Sequence, residues 1–130
     1  MVAGGWRPFS VVPLLVGDAE AESVYRVLAY LWGGPETLIV ISSDLSHFHS
    51  YQEACSLDAS VSLAIENLLP DEIDPGQACG RIPIQGLLMQ ARSRGLAATT
   101  VDLRNSGDTA GSRDLVVGYG AYVFREPKLK

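Results

Sequence analysis

A chain of 130 residues that is 47% hydrophobic and 19% charged carries enough apolar material for one folded core and too little charge for a disordered segment. Acidic side chains outnumber basic ones by 15 to 10, a net charge of −5, and no cluster of Lys or Arg offsets this locally, which argues against nucleic acid as a partner. No stretch approaches the roughly 18 apolar residues of a membrane span, so no membrane segment or membrane partner is expected.

The first element in chain order is Phe9–Val16, a β-branched apolar run without helical period that reads as a buried strand. It is interrupted by Pro13 and leads into Asp18, Glu20 and Glu22, a pattern unlike a signal peptide. Asp18 is the expected N-cap of a helix whose apolar face is Ala21, Val24, Tyr25, Leu28, Leu31 and Trp32, and Gly33-Gly34-Pro35 ends it. Thr37–Ile41 is apolar almost throughout, as for a strand covered on both faces.

A polar loop follows, from Ser42 to His49. Ser50-Tyr51-Gln52-Glu53 fits a capping box at the start of a second helix, with Ala54, Leu57, Val61, Ala64, Ile65 and Leu68 as its face and Pro70 as its stop. A third helix is expected from about Ile82-Pro83 to Arg94, closed by Gly95. Leu96–Leu103 and Val116–Phe124 read as strands separated by the turn-rich segment Asn105–Ser112. The order implies one α/β domain over residues 1–130, with a mixed, mainly parallel sheet flanked by helices. Its first two strands would be parallel neighbours and its last two an antiparallel pair.

In open α/β sheets ligands gather beyond the carboxyl ends of the strands, which directs attention to the loop after Ile41. It holds Asp44 and both histidines of the chain, His47 and His49. A carboxylate three residues from an imidazole can fix its tautomer and raise its basicity, the arrangement wanted in a general acid/base or a metal ligand. Equally, Asp44 could cap a turn and His47 could be a surface residue. Cys79, in Ala78-Cys79-Gly80, lies just ahead of the third helix, where a thiol tends toward the thiolate that binds metals; the competing reading is a small buried filler. Cys55, within the second helix, reads as structural. Two cysteines without framework spacing suit a reducing compartment, and the cytoplasm is the expected location.

Some familiar patterns are missing. The segment Gly107–Ser112 lacks the lysine of a phosphate-binding loop. Ser43, Asp44 and His47 have the residue types of a hydrolase triad but crowd one loop.

Five segments together resemble the Memo family, whose bacterial and archaeal members are called AmmeMemoRadiSam system protein B. They are Pro8–Gly17, Ile41–His47, Ala78–Ile84, Asn105–Asp108 and Val116–Tyr119, in family order and with family-like spacing. The resemblance implies half of a fold shared with class III extradiol dioxygenases, which use non-haem iron. It matches Cys79 to the family's metal-ligating cysteine, His47 to the histidine that acts as acid/base beside the metal, and Asp44 to a site aspartate. A thiolate in place of the dioxygenases' carboxylate ligand would favour iron, copper or zinc and undercuts a simple transfer of dioxygenase activity.

Family members are about twice this length, and their two histidine ligands lie in the N-terminal half. Cys79 with His47 would therefore give at most two ligands, an incomplete site. Three readings follow. One is a Memo-type binding or accessory protein with a pocket around Asp44, His47 and Cys79 for a peptide or small molecule. The alternative is a metal-dependent oxidoreductase that takes its missing ligands from an N-terminal half or a partner chain. The third treats the chain as a fragment, the product of a split gene or a remnant, with no activity of its own. Each expects association, with that half or with another copy, because half of a layered fold leaves a sheet face or edge uncovered.

Overall fold

Residues 7–128 are described by the structure, a computed structural model. Its elements are helix α1 (Ala21–Leu31), strand β1 (His47–His49), helices α2 (Tyr51–Glu66) and α3 (Arg81–Arg94), and strands β2 (Ala97–Asn105) and β3 (Val116–Arg125). Short 3-10 turns occupy Pro70–Glu72 and Ser106–Asp108.

The helices follow their apolar period. Ser50 caps α2, its Oγ accepting from the Glu53 N–H at 3.4 Å, and Gly95 closes α3 in the left-handed conformation (φ 67°) that glycine adopts without strain. Pro83 sits in the first turn of α3, where the missing N–H costs little. At α1 the cap position falls on Glu20 rather than Asp18, and no side chain bonds there. Val24 and Leu28 of α1 pack on Leu87 of α3; the helices approach closely because Gly86 presents no Cβ toward Val24.

Helix α2 lies across β2 and β3. Its Val61, Ala64 and Ile65 meet Ile84 and Leu88 of α3 in the main core. Leu88 is fully buried, so truncation to alanine would cost about 2–5 kcal/mol. Ile41 and Phe124 touch both apolar clusters and join them.

The fold is α/β as expected, but the sheet is not mainly parallel. Among the described residues it has three strands in the order β1-β3-β2, and both pairings are antiparallel. The last two strands pair as the sequence implied, with Asn105 opposite Gly118 and Ala97 opposite Arg125.

The two runs expected as parallel strands, Phe9–Val16 and Thr37–Ile41, make no ladder. Ile39 and Ile41 face the second cluster, while Leu38 and Val40 are 84% and 73% exposed. Their alternation is that of a strand with one face covered. Apolar composition favours an extended run, but a ladder needs a paired neighbour, and among the described residues neither run is paired. The third strand of the sheet comes instead from the polar His47–His49 segment, read from the sequence as loop.

Candidate metal centre

Ile41 is held between the two apolar clusters, and the chain leaves it for the surface through Ser42 and Ser43. It dips back at Leu45, 2% exposed, and Ser46, fully buried. The Leu45 N–H donates to the Gly118 carbonyl, and the Gly118 N–H donates to the Ser46 carbonyl, each at 2.8 Å. Directly after, His47 enters β1 opposite Val117. Asp44 and His47 thus flank a buried dipeptide fastened to β3, and their side chains remain 48% and 38% exposed.

Cys79 reaches the same place from the opposite side. Ala78 is buried in the main core, and Gly80 is the N-cap of α3. A Cβ on Gly80 would stand 2.6 Å from Ser43 Cβ, so the missing side chain lets the two loops touch. Ser43 Oγ accepts from the Gly80 N–H at 2.8 Å and donates to the Asp44 carbonyl at 2.6 Å. The Asp44 N–H donates to Cys79 Sγ at 3.2 Å.

Asp44, His47 and Cys79 therefore converge. One ligand atom from each lies within 4.8 Å of the others, and Asp44 Oδ2 is 3.5 Å from His47 Nε2. Bonds of roughly 2.0–2.3 Å to a tetrahedral ion would put neighbouring ligand atoms about 3.3–3.8 Å apart. The carboxylate–imidazole pair already has that spacing, and the sulfur needs a shift on the order of 1 Å. A mixed sulfur, nitrogen and oxygen donor set on an exposed surface fits a borderline ion such as zinc, iron or copper.

The sequence alone counted Cys79 and His47 as two donors; with Asp44 the cluster has three. His49 does not join it, since its Nδ1 faces Glu53 Oε2 of α2 at 3.7 Å. Phe48 between the histidines has a positive φ of 61°, and β1 shifts register against β3 at that point. This bulge breaks the usual rule that residues two apart share a strand face. Ser43 Oγ is engaged with Gly80 and the Asp44 carbonyl, so Ser43, Asp44 and His47 do not form a hydrolase triad.

Ser43 is instead a seam residue, a role that local sequence did not reveal. Its hint was Gly80, a small residue leaving room for another backbone. Nor do the three donors line a cavity of about 390 Å³ found among the described residues. That cavity lies between α2 and β2, beside Tyr51, Cys55, Asp58 and Asn105. The donors present an open face.

Two further segments of the sequence resemblance, Asn105–Asp108 and Val116–Tyr119, have structural roles. Asn105 and Asp108 cap each other reciprocally around the Ser106–Asp108 turn, and the Tyr51 hydroxyl donates to Asp108 Oδ1 at 2.6 Å. That bond, with the Asn105 N–H next, holds the Asp108 carboxyl below its ordinary value and pushes the Tyr51 phenol above its own. Ser106 Oγ accepts from the Val117 N–H at 3.1 Å, tying the turn to the strand beside His47.

Comparison with known proteins places the chain in a family. The family model described as Memo-like protein matches residues 1–123. A "MEMO1 family protein" of Methanosarcina mazei is 32% identical over 90% of this chain and 48% of its own length. Those of Aquifex aeolicus (32% identical, covering 91% and 48%) and Aeropyrum pernix (33%, covering 87% and 44%) are comparable. The chain spans about half the length of these curated relatives. Among the described residues no helix is long and apolar enough to cross a membrane. With the family model covering almost the whole sequence and relatives matching at about one residue in three, the chain belongs to the Memo family.

Proposed function

We propose that this domain supplies one wall of a single-metal site in a Memo-type binding or accessory protein located in the cytoplasm. Asp44, His47 and Cys79 would hold an iron, copper or zinc ion, and a covering chain would turn their open face into a pocket for a peptide or small molecule. The convergence of three donor atoms within 4.8 Å carries this reading. Such an ion, when bound, supplies a Lewis acid able to polarise an oxygen of the ligand. The rest falls to the chain: Cys79 would offer its sulfur, Asp44 a carboxylate oxygen and His47 an imidazole nitrogen, each from a backbone position fixed by the surrounding contacts.

Two observations support a covering chain. The molecule exposes 9346 Å², against roughly 6,700 Å² for a compact monomer of its 13.9 kDa mass. In addition, Phe9, Val11, Val12, Leu15, Leu38 and Val40 are each more than 70% exposed on extended segments without ladder partners. Exposed large apolar side chains of this kind are characteristic of interaction surfaces. The occupant would be the N-terminal Memo half that the family resemblance implies, or a second copy of this chain, and the arrangement would then be half of a dioxygenase-like fold.

The test is calorimetric titration of the domain with zinc, and with iron(II) under anaerobic conditions. One ion per chain should bind, and Cys79→Ala or His47→Ala should weaken it at least tenfold. Equal binding by wild type and both variants would defeat the proposal.

The contact between Asp44 and His47 also favours an oxidoreductase reading, with His47 as acid/base. It requires oxygen uptake with a catechol after iron(II) loading alongside the complementing half; absence of uptake there rules it out.

A further inference from the structure

We propose that Asp58, on α2, is a positioning residue that sets the spacing of the donors Asp44 and His47 without touching them. This rests on the reading of the cluster as a metal site and adds a residue that the family resemblance and the donor cluster do not name.

The observation begins with backbone accounting. Ser46 is fully buried, so its N–H must find a partner inside the protein. On either side of that group the loop is already bonded to β3, through the Leu45 N–H and the Ser46 carbonyl, both to Gly118. The Ser46 N–H is met from the other layer, by Asp58 Oδ1 at 3.0 Å. The Asp58 residue is itself only 2% exposed. Burying a carboxylate is costly unless hydrogen bonds compensate, and a bond from an N–H to an anion is about twice as strong as a neutral one.

Space for this contact comes from Gly118, where a Cβ would overlap the Asp58 carboxylate. Helix α2 itself is fixed by Val61 and Ile65 in the core. Asp58 lies on that buried face, with Ala54, Val61 and Ile65 at helical spacing around it. A polar residue in a core-facing position is the sequence signal that would have singled it out. Ser46 stands two residues after Asp44 and one before His47, so holding Ser46 between α2 and β3 fixes where both donors leave the backbone. Donor groups held this way lose less order on binding an ion, and outer partners of metal ligands commonly change affinity by 10- to 100-fold.

The experiment compares wild type, Asp58→Ala and Asp58→Asn in two measurements. In the metal-free domain, hydrogen exchange at the Ser46 amide should be at least tenfold faster in Asp58→Ala, with exchange at Val61 and Leu88 unchanged. Cobalt(II), titrated as the probe through its sulfur charge-transfer band, should bind about tenfold more weakly to Asp58→Ala. Asp58→Asn keeps an oxygen acceptor and should fall between wild type and Asp58→Ala in both. Should the alanine variant not fold, a several-fold faster Ser46 exchange and about threefold weaker cobalt binding in Asp58→Asn carry the test. Exchange rising equally at Ser46, Val61 and Leu88 would show a merely structural role and overturn the proposal. Unchanged Ser46 exchange, or unchanged cobalt affinity, would do the same. If wild type binds no cobalt, the metal-site reading fails first; if it binds and the Asp58 variants match it, only the positioning role fails.

Discussion

The Asp44 backbone N–H donates to Cys79 Sγ across 3.2 Å, although 35 positions separate the two residues. The carboxylate-bearing loop and the loop before α3 are therefore joined at the donors themselves. Spacing within the cluster is a property of this seam, so substitutions along it should affect metal binding and stability together.

Gly80→Ala tests the seam directly. A methyl at that position would stand 2.6 Å from Ser43 Cβ and 2.8 Å from Ser43 Oγ, so Ser43 must move and its bond from the Gly80 N–H must lengthen. Overpacking of this kind costs about 1–3 kcal/mol. Urea denaturation should show a loss in that range, and zinc binding should weaken in parallel. A variant as stable as wild type would mean that the two loops are not in close contact.

Alkaline pH should destabilise the domain through Tyr122. Burial pushes its phenol above the ordinary 10.0, partly offset by the bond with Ser62 Oγ. The folded state therefore keeps a proton that the unfolded chain releases. The contribution is fully present below pH 10 and is lost as pH rises through the higher folded value. Tyr122→Phe should flatten this decline while costing about 1 kcal/mol at neutral pH, where the bond to Ser62 is lost. Denaturation midpoints of both proteins from pH 8 to 11 measure it. An unchanged alkaline slope in the variant would contradict the assignment.

At the acid end the relevant pair is Tyr51 and Asp108. The Tyr51 hydroxyl is the main cause that lowers the Asp108 carboxyl from 3.8. Its contribution is present above that value and disappears as pH falls through the lower folded one. Tyr51→Phe should therefore reduce the acid-induced loss of stability below pH 4, read from thermal unfolding between pH 2 and 6. Identical acid profiles would show that the bond is not populated.

Much of this was legible in the sequence, and the failures have physical causes. The three helices could be read because 3.6-residue periodicity and the signals at Ser50 and Gly95 are local. The antiparallel pairing of β2 with β3 followed from two strand-like runs separated by a turn. Phe9–Val16 and Thr37–Ile41 misled because apolar composition reports a tendency to extend, whereas a ladder depends on what lies alongside. His47–His49 was read as loop because its polar residues gain their strand conformation from pairing with Val116 and Val117. Asp44, His47 and Cys79 were each picked out for their chemistry. Their mutual distance depended on contacts of Ser43, Gly80 and Gly118 that span 30 positions or more, and no local pattern encodes those.

The most direct test of the metal site is X-ray absorption spectroscopy at the zinc edge of the zinc-loaded domain. One sulfur scatterer at about 2.3 Å together with nitrogen or oxygen at about 2.0–2.1 Å is expected, with the sulfur shell absent in Cys79→Ala. A zinc environment of oxygen and nitrogen alone, the same in wild type and variant, would contradict the convergence of Cys79 with Asp44 and His47 on a single ion.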